Sequence, residues 1–145
     1  MLFRSGAPYW DSHASACITG MTRSTGKNEI VKAALDCIVY QITDIVEAMR
    51  ASSGIIISGL RVDGGPTRNK YLMQFQSDML NIPVRVPDAE ELSGIGAAYC
   101  AGISSGLYGE NVFGNLKRVL YEPDMAEDER KILYDGWKNA VTKSR

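Results

Sequence analysis

The segment 54–69 constrains the fold more than any other part of the chain. It opens at Gly54, runs through Ile55, Ile56 and Ile57 to Val62, and then meets Asp63, Gly64, Gly65 and Pro66. A short unbroken run of β-branched residues predicts a strand buried on both faces. Two glycines end that run. Pro66 suits the first position of a helix, because its φ is already set and its missing N–H would have no intrahelical partner. The segment therefore predicts a strand, a tight turn and a helix over about 66–80, with Leu72, Phe75 and Met79 on the buried face. Such a unit belongs to an α/β layer.

The flanking patterns extend this reading. Ile30, Ala34, Ile38, Ile42, Ile45 and Met49 recur at steps of three and four, predicting a helix over about 27–51 with that stripe turned to the core. Ser24 or Thr25 would cap it, Glu29 suits the dipole in its first turn, and Gly54 would end it. Residues 1–14 read as a loop punctuated by Gly6, Pro8 and Ser12. Residues 16–22 read as a short strand ending at Gly20. Downstream, 83–86 predicts a strand and 92–107 a third helix, whereas 108–122 has no decisive pattern. A last helix over about 125–142 would start with Asp124 and Glu127 as a capping pair and bury Leu133, Trp137 and Val141. The alternation predicts parallel strands in the middle of the chain. At 145 residues the chain makes one domain, 1–145.

Composition excludes several classes. With 45% apolar and 23% charged residues the chain has the makeup of a globular protein. A net charge of -1 provides no basic footprint for nucleic acid. No apolar run approaches the ~20 residues of a membrane span, and residues 1–6 lack a signal-peptide core. A cytoplasmic location is the expectation. Cys17, Cys37 and Cys100 are far apart and odd in number, so they read as buried free thiols rather than a disulfide framework or zinc site. His13 is the one histidine and reads as a loop residue, which leaves no Ser-His-Asp machinery. No metal site is expected.

The glycine turn carries the chemistry. The first amides of a helix lack intrahelical partners, and the helix dipole adds positive potential at the same end. Glycine lets the backbone approach a phosphate closely. The amides of Gly64, Gly65 and Thr67 are the candidate donors, and Asn69 is placed to meet a ribose or base. The candidate nucleotide-binding residues are thus Gly64, Gly65, Pro66 and Asn69. The same turn also occurs in α/β proteins with no ligand, with Asp63 as a mere cap and Asn69 facing water. Neither G-x-G-x-x-G nor Gly-Lys-Ser/Thr is present, which disfavours a dinucleotide-binding domain and a P-loop. In the third helix, Gly94, Gly96 and Gly102 each cost up to ~1 kcal/mol relative to alanine. Two readings remain for them: tight packing on the sheet, or a nucleotide lying against Gly94 or Gly96.

Several separated segments then agree with one family. Residues 6–11, Gly-Ala-Pro-Tyr-Trp-Asp, resemble the loop that glycerol kinases carry. Residues 16–21, Ala-Cys-Ile-Thr-Gly-Met, with Glu29, Ile30 and Ala33 to Asp36, fit a second signature. Arg61 to Gly65, with Asn69 and residues 72–78, Leu-Met-Gln-Phe-Gln-Ser-Asp, fit an adenosine motif. Gly96, Ala97, Ala98, Tyr99, Ala101 and Gly102, and later Gly136, Trp137 and Lys138, complete the series. Together they resemble the C-terminal domain of the FGGY carbohydrate kinases, and within them the glycerol kinase branch.

That resemblance implies a ribonuclease-H-like, actin-type ATPase domain, with a mixed sheet flanked by helices. It implies ATP or ADP with Mg²⁺ as cofactor, the metal being held mainly by phosphates and by a domain that this chain lacks. By position, Gly65 would contact phosphates through its backbone and Asn69 the adenine side. Pro66 and Lys70 depart from the family's alanine and second asparagine. No residue matches the family's catalytic aspartate, so none is nominated as catalytic. The polyol or sugar substrate would be held by the missing N-terminal domain, and the chain alone is expected to be inactive. The alternative is a catalytically silent nucleotide-binding or interaction module, either folded alone or as a homo-oligomer dimerised through the face that the missing domain would meet, or a truncated non-functional fragment.

Overall fold

The computed structural model describes residues 8–11, 13–88 and 92–144. The long helix α1 spans Lys27–Ser53. Thr25 does not cap it, because the Thr25 hydroxyl accepts from the Thr22 amide. Gly26 takes the cap position, and the Glu29 carboxylate accepts from the Gly26 amide at 2.8 Å, inside the first turn. Gly54 ends the helix at φ 65, a left-handed conformation that glycine adopts without a Cβ penalty.

Strand β1 is Leu60–Arg61 and pairs in parallel with β2, Val84–Pro87, with Leu60 opposite Val84. Strand β3, Arg118–Tyr121, runs antiparallel to β2 on its other side. The sheet order is β1-β2-β3, so the expected parallel pair is present and the sheet is mixed. The pattern-free region 108–122 resolves into a 3₁₀ helix, Glu110–Asn115, and β3.

Helix α2, Lys70–Leu80, is the centre of the domain. Eight of its eleven residues are buried. It touches α1, α4 (Glu127–Ser144), β2 and β3. Leu72, Met73, Phe75 and Met79 join Val39, Val84 and Val86 in the main core. At roughly 1.5–3 kcal/mol for each fully buried large side chain, this cluster dominates the stability of the chain. The polar residues of α2 serve the same joint. Ser77 donates to the carbonyls of Ile82 and Tyr121, and Asp78 accepts from the Asp124 amide at 2.8 Å. Asn81, at φ 51, ends the helix in the left-handed region that asparagine tolerates.

Four expectations are corrected. Residues 16–22 form no strand, since no partner strand lies beside them among the described residues. The run 55–57 is extended but outside any ladder, with Ile55 66% and Ile56 90% exposed. Strand character in that run depends on a neighbour, and β2 reaches only Leu60 and Arg61. The isoleucine stripe of α1 is mostly exposed: Ile30, Ile38, Ile45 and Met49 face outward while Ile42 packs beside Val46, and the helix buries Cys37, Val39, Thr43, Asp44 and Val46 instead. Finally, α4 begins at Glu127, so Asp124 does not cap it, although Trp137 and Val141 are buried as expected and Leu133 packs on the core.

Helix α3, Leu92–Ser104, is shorter than expected, and Gly102 alone of its residues is buried. Of the thiols, only Cys37 is buried; Cys17 is half-buried and Cys100 exposed, and none of the three is in a disulfide. Among the described residues no helix is long and apolar enough to cross a membrane.

Candidate functional site

The expected single helix from Pro66 is two pieces. Gly65–Arg68 forms one 3₁₀ turn, and α2 starts after a break at Asn69. Gly64 makes the entry. It sits at φ 100 and ψ 174, a region closed to residues with a Cβ. The strand side is fixed by Leu60, whose amide donates to the Pro83 carbonyl at 2.9 Å, and by Val62, whose amide donates to the Arg85 carbonyl at 3.1 Å.

The turn spends some of its donors on itself. Thr67 donates to the Gly64 carbonyl twice, from its amide at 3.0 Å and its hydroxyl at 2.7 Å. Its amide is therefore not aimed at a ligand, which corrects the sequence expectation. Among the described residues, Gly64 and Gly65 donate no backbone hydrogen bond, and a Cβ placed on Gly65 would meet nothing within 4 Å. A Cβ on Gly64 would touch the Pro66 ring at 3.9 Å, so the open position is Gly65. Arg61, Arg68 and Lys70 are exposed along this segment, with Asp63 as its one carboxylate, so the local field favours an anion.

Asn69 has a definite job in the fold. Its Oδ1 accepts from the Leu72 amide at 3.2 Å and its carbonyl from the Met73 amide at 3.1 Å, which makes it the N-cap of α2. Asp63 is exposed and caps nothing; the cap position of the 3₁₀ turn is Gly64. Gly94 and Gly96 face open space, and close packing occurs at Gly102 alone of the three, where a Cβ would collide with the Tyr108 ring. Gly6 and Ala7 of the N-terminal loop lie outside the described residues. Tyr9 of that loop is half-buried and donates to Asp44 at 3.1 Å.

Two clusters were not singled out from the sequence. One joins α1 to the start of α2. Lys32 and Asp36 pair at 2.6 Å, and the Tyr71 hydroxyl donates to the other Asp36 oxygen at 2.5 Å. Burial alone would lower the Lys32 pKa, but its bonds to Asp36 and Tyr71 hold it above the ordinary lysine value. Burial, then the Asp36 bond, raises the Tyr71 phenol above its ordinary value. The i,i+4 spacing of Lys32 and Asp36 was the available signal. The other cluster is Asp44 with Tyr9, Tyr134 and Trp137. Asp44 lies off the isoleucine stripe, so the sequence offered no local signal for it.

A recess of about 280 Å³ lies between α1, α4 and the segment 17–19, lined by Cys17, Ile30, Asp36, Cys37, Tyr40 and Trp137 among others; no residue of 63–69 reaches it. Among the described residues no group of three His, Cys, Asp or Glu could hold a metal ion.

The chain has well-defined relatives. A glycerol kinase of Petrotoga mobilis is 50% identical over 143 residues, covering 97% of this chain and 29% of that protein. The structure of Plasmodium falciparum glycerol kinase with ADP superposes with a TM-score of 0.84 at 33% identity, over 95% of this chain and 28% of that one. A ligand-bound xylulose kinase from Lactobacillus acidophilus shares the fold, with a TM-score of 0.74 at 20% identity, over 95% of this chain and 29% of that one. The chain thus spans less than a third of the length of these relatives. The mixed sheet with flanking helices is the actin-type ATPase fold expected from the resemblance. The profile of the FGGY family of carbohydrate kinases, C-terminal domain, matches residues 2–105, and the chain belongs to that family.

Proposed function

We propose that this chain forms the ATP-binding wall of a polyol kinase of the glycerol type. Joined to the part that its relatives carry beyond it, it transfers the γ-phosphate of ATP to a substrate hydroxyl. The observation that carries this reading is the open backbone at Gly65, in a fold matched at a TM-score of 0.84 by a glycerol kinase described with ADP. The turn suits a nucleotide phosphate: a side chain at Gly65 would occupy the space in front of it, and Arg61, Arg68 and Lys70 are exposed in the same segment.

Gly64 and Gly65 meet the phosphates through their backbone in this reading. Pro66 sets the turn, and Asn69 holds α2 while its amide nitrogen lies toward the base. Mg²⁺ supplies charge neutralisation at the phosphates. No step of proton transfer is assigned to this chain, because general-base catalysis needs a carboxylate in reach of the substrate hydroxyl. The polyol is held by the other part of the enzyme, and the setting is cytoplasmic.

Calorimetric titration with ADP tests the reading. Saturable heat that is lost in Gly65→Val supports it. No heat at millimolar ADP overturns it for this chain. A second reading, an interaction module, is favoured by the mostly exposed isoleucine stripe of α1. It predicts concentration-dependent association with no response to ADP.

A further inference from the structure

The glycine turn is held between two fixtures. One is the strand side, where the Val62 amide donates to Arg85. The other is the first turn of α2, fastened to α1 by a compact group of side chains. Tyr71 stands two residues past Asn69 and donates its hydroxyl to Asp36 Oδ1 at 2.5 Å. Lys32 Nζ donates to Asp36 Oδ2 at 2.6 Å, so both carboxylate oxygens are engaged, one from each helix. The Lys32 ammonium also lies 5.4 Å from the centre of the Tyr71 ring and 5.6 Å from that of Phe75, and the two rings stack at 5.9 Å.

The geometry of this group suits orientation. A phenol bonded to an ionised carboxylate makes a short, charge-assisted bond with a preferred direction. Lys32 holds the carboxylate in place from its own helix, one turn away. The stacked Phe75 fixes the plane of the Tyr71 ring, and Phe75 is itself in the main core. The Tyr71 backbone is therefore located relative to α1, and Asn69 and Pro66 are located through it.

We propose that Asp36, supported by Lys32, is a positioning residue for the nucleotide turn, acting through Tyr71 on the Asn69 cap and the Gly64–Gly65 backbone. This rests on the nucleotide reading above and goes beyond it, since neither Asp36 nor Tyr71 belongs to the turn. Donors fixed before the ligand arrives lose less freedom when it binds, so loosening this clamp weakens the grip on phosphate without removing any contact to it.

The test uses the 145-residue chain with ADP. Tyr71→Phe removes only the hydroxyl and keeps the ring stack. Asp36→Asn keeps the shape and removes the charge. Roughly three- to tenfold weaker ADP binding is expected in each, the worth of one such hydrogen bond, with the helical circular dichroism retained. Asp36→Glu should recover part of the affinity, which a general packing defect would not allow. The amide resonances of Gly64 and Gly65 should shift in Tyr71→Phe without ligand. ADP affinity within about twofold of wild type in both Tyr71→Phe and Asp36→Asn overturns the proposal. If the wild-type chain binds no ADP, the nucleotide reading fails for the isolated chain, and the glycine resonances alone decide the clamp: shifted supports it, unmoved overturns it.

Discussion

Trp137 donates its indole N–H to Asp44 Oδ2 at 2.7 Å, and both residues are buried. Tyr134 donates to Oδ1 at 2.7 Å and Tyr9 to Oδ2 at 3.1 Å. One carboxylate on α1 thus gathers α4 and the N-terminal loop through three neutral donors. Burying an ionised carboxylate is costly, and these bonds offset that cost.

Removing the acceptor strands the donors. Asp44→Ala is expected to lower the unfolding free energy by about 3 kcal/mol or more, and Asp44→Asn by less, since it keeps one oxygen. Urea denaturation followed by Trp137 emission measures both. A loss below about 1 kcal/mol in Asp44→Ala would show that the network is dispensable.

The tyrosines make the fold sensitive to alkali. Burial, then the bond to Asp44, pushes the Tyr134 phenol above its ordinary value. Burial, then the Asp36 charge, pushes Tyr40 up to about 12 from 10.0. A group whose folded pKa is raised contributes stability that is complete below the unfolded value and is lost as pH climbs through the folded one. Stability should therefore hold up to pH 10 and decline from there towards pH 12. Tyr40→Phe should soften that decline. A flat stability profile across this window refutes the assignment.

The two turn glycines should separate folding from binding. Gly64→Ala forces a Cβ onto φ 100, at a cost of about 1–3 kcal/mol in stability. Gly65 has ordinary φ and open space, so Gly65→Ala should leave the melting temperature nearly unchanged and weaken ADP binding. Thermal melts and titrations on the pair read the two effects. Equal destabilisation in both variants would contradict the geometry.

Gln76 carries a cost that the sequence does not disclose. Its side chain is 1% exposed, and neither amide atom has a hydrogen-bond partner among the described residues. Gln76→Met keeps the length and removes the unpaired groups. It should raise the unfolding free energy by roughly 1–3 kcal/mol in chemical denaturation. A drop instead would mean that the amide is satisfied in solution.

The open edge should make the chain self-associate. Ile55 and Ile56 are bare beside a two-residue ladder, and exposed apolar strand edges recruit other chains. Sedimentation velocity should show mass rising with concentration. Ile56→Lys should shift the chain toward monomer. A wild-type chain that stays monomeric at the highest concentrations reached counts against this.

The elements were legible where local chemistry suffices. The spacing of Leu72, Phe75 and Met79 gave α2 its buried face, Gly54 ended α1, and Trp137 and Val141 marked the inner side of α4. The failures share one cause. Ile55, Ile56 and the stripe residues Ile30, Ile38, Ile45 and Met49 are written for burial, yet burial needs a neighbour, and among the described residues they stay exposed, whereas Ile57 packs beside Val46 and Leu80. Their apolar pattern was read correctly as a pattern, and a pattern does not say whether its partner is within the same stretch of chain. At the turn, Gly64 was legible because its φ of 100 favours glycine, whereas the backbone of Gly65 is open to other residues. The use of the Thr67 amide within the turn was not legible, because it depends on the 3₁₀ winding of four residues. Asp36 and Asp44 find their partners 35 and 90 positions away, at Tyr71 and Tyr134, beyond the reach of local spacing.

The bonds inside the glycine turn close over three or four positions: Thr67 to Gly64, Asn69 to Pro66, Leu72 and Met73 to Asn69. The β2–β3 ladder, by contrast, must bring Val84 to Tyr121. Short closures form in well under a microsecond to microseconds, whereas distant pairings wait on loop entropy. The turn's own closures are local, so its winding is not limited by the loop entropy that the sheet must overcome.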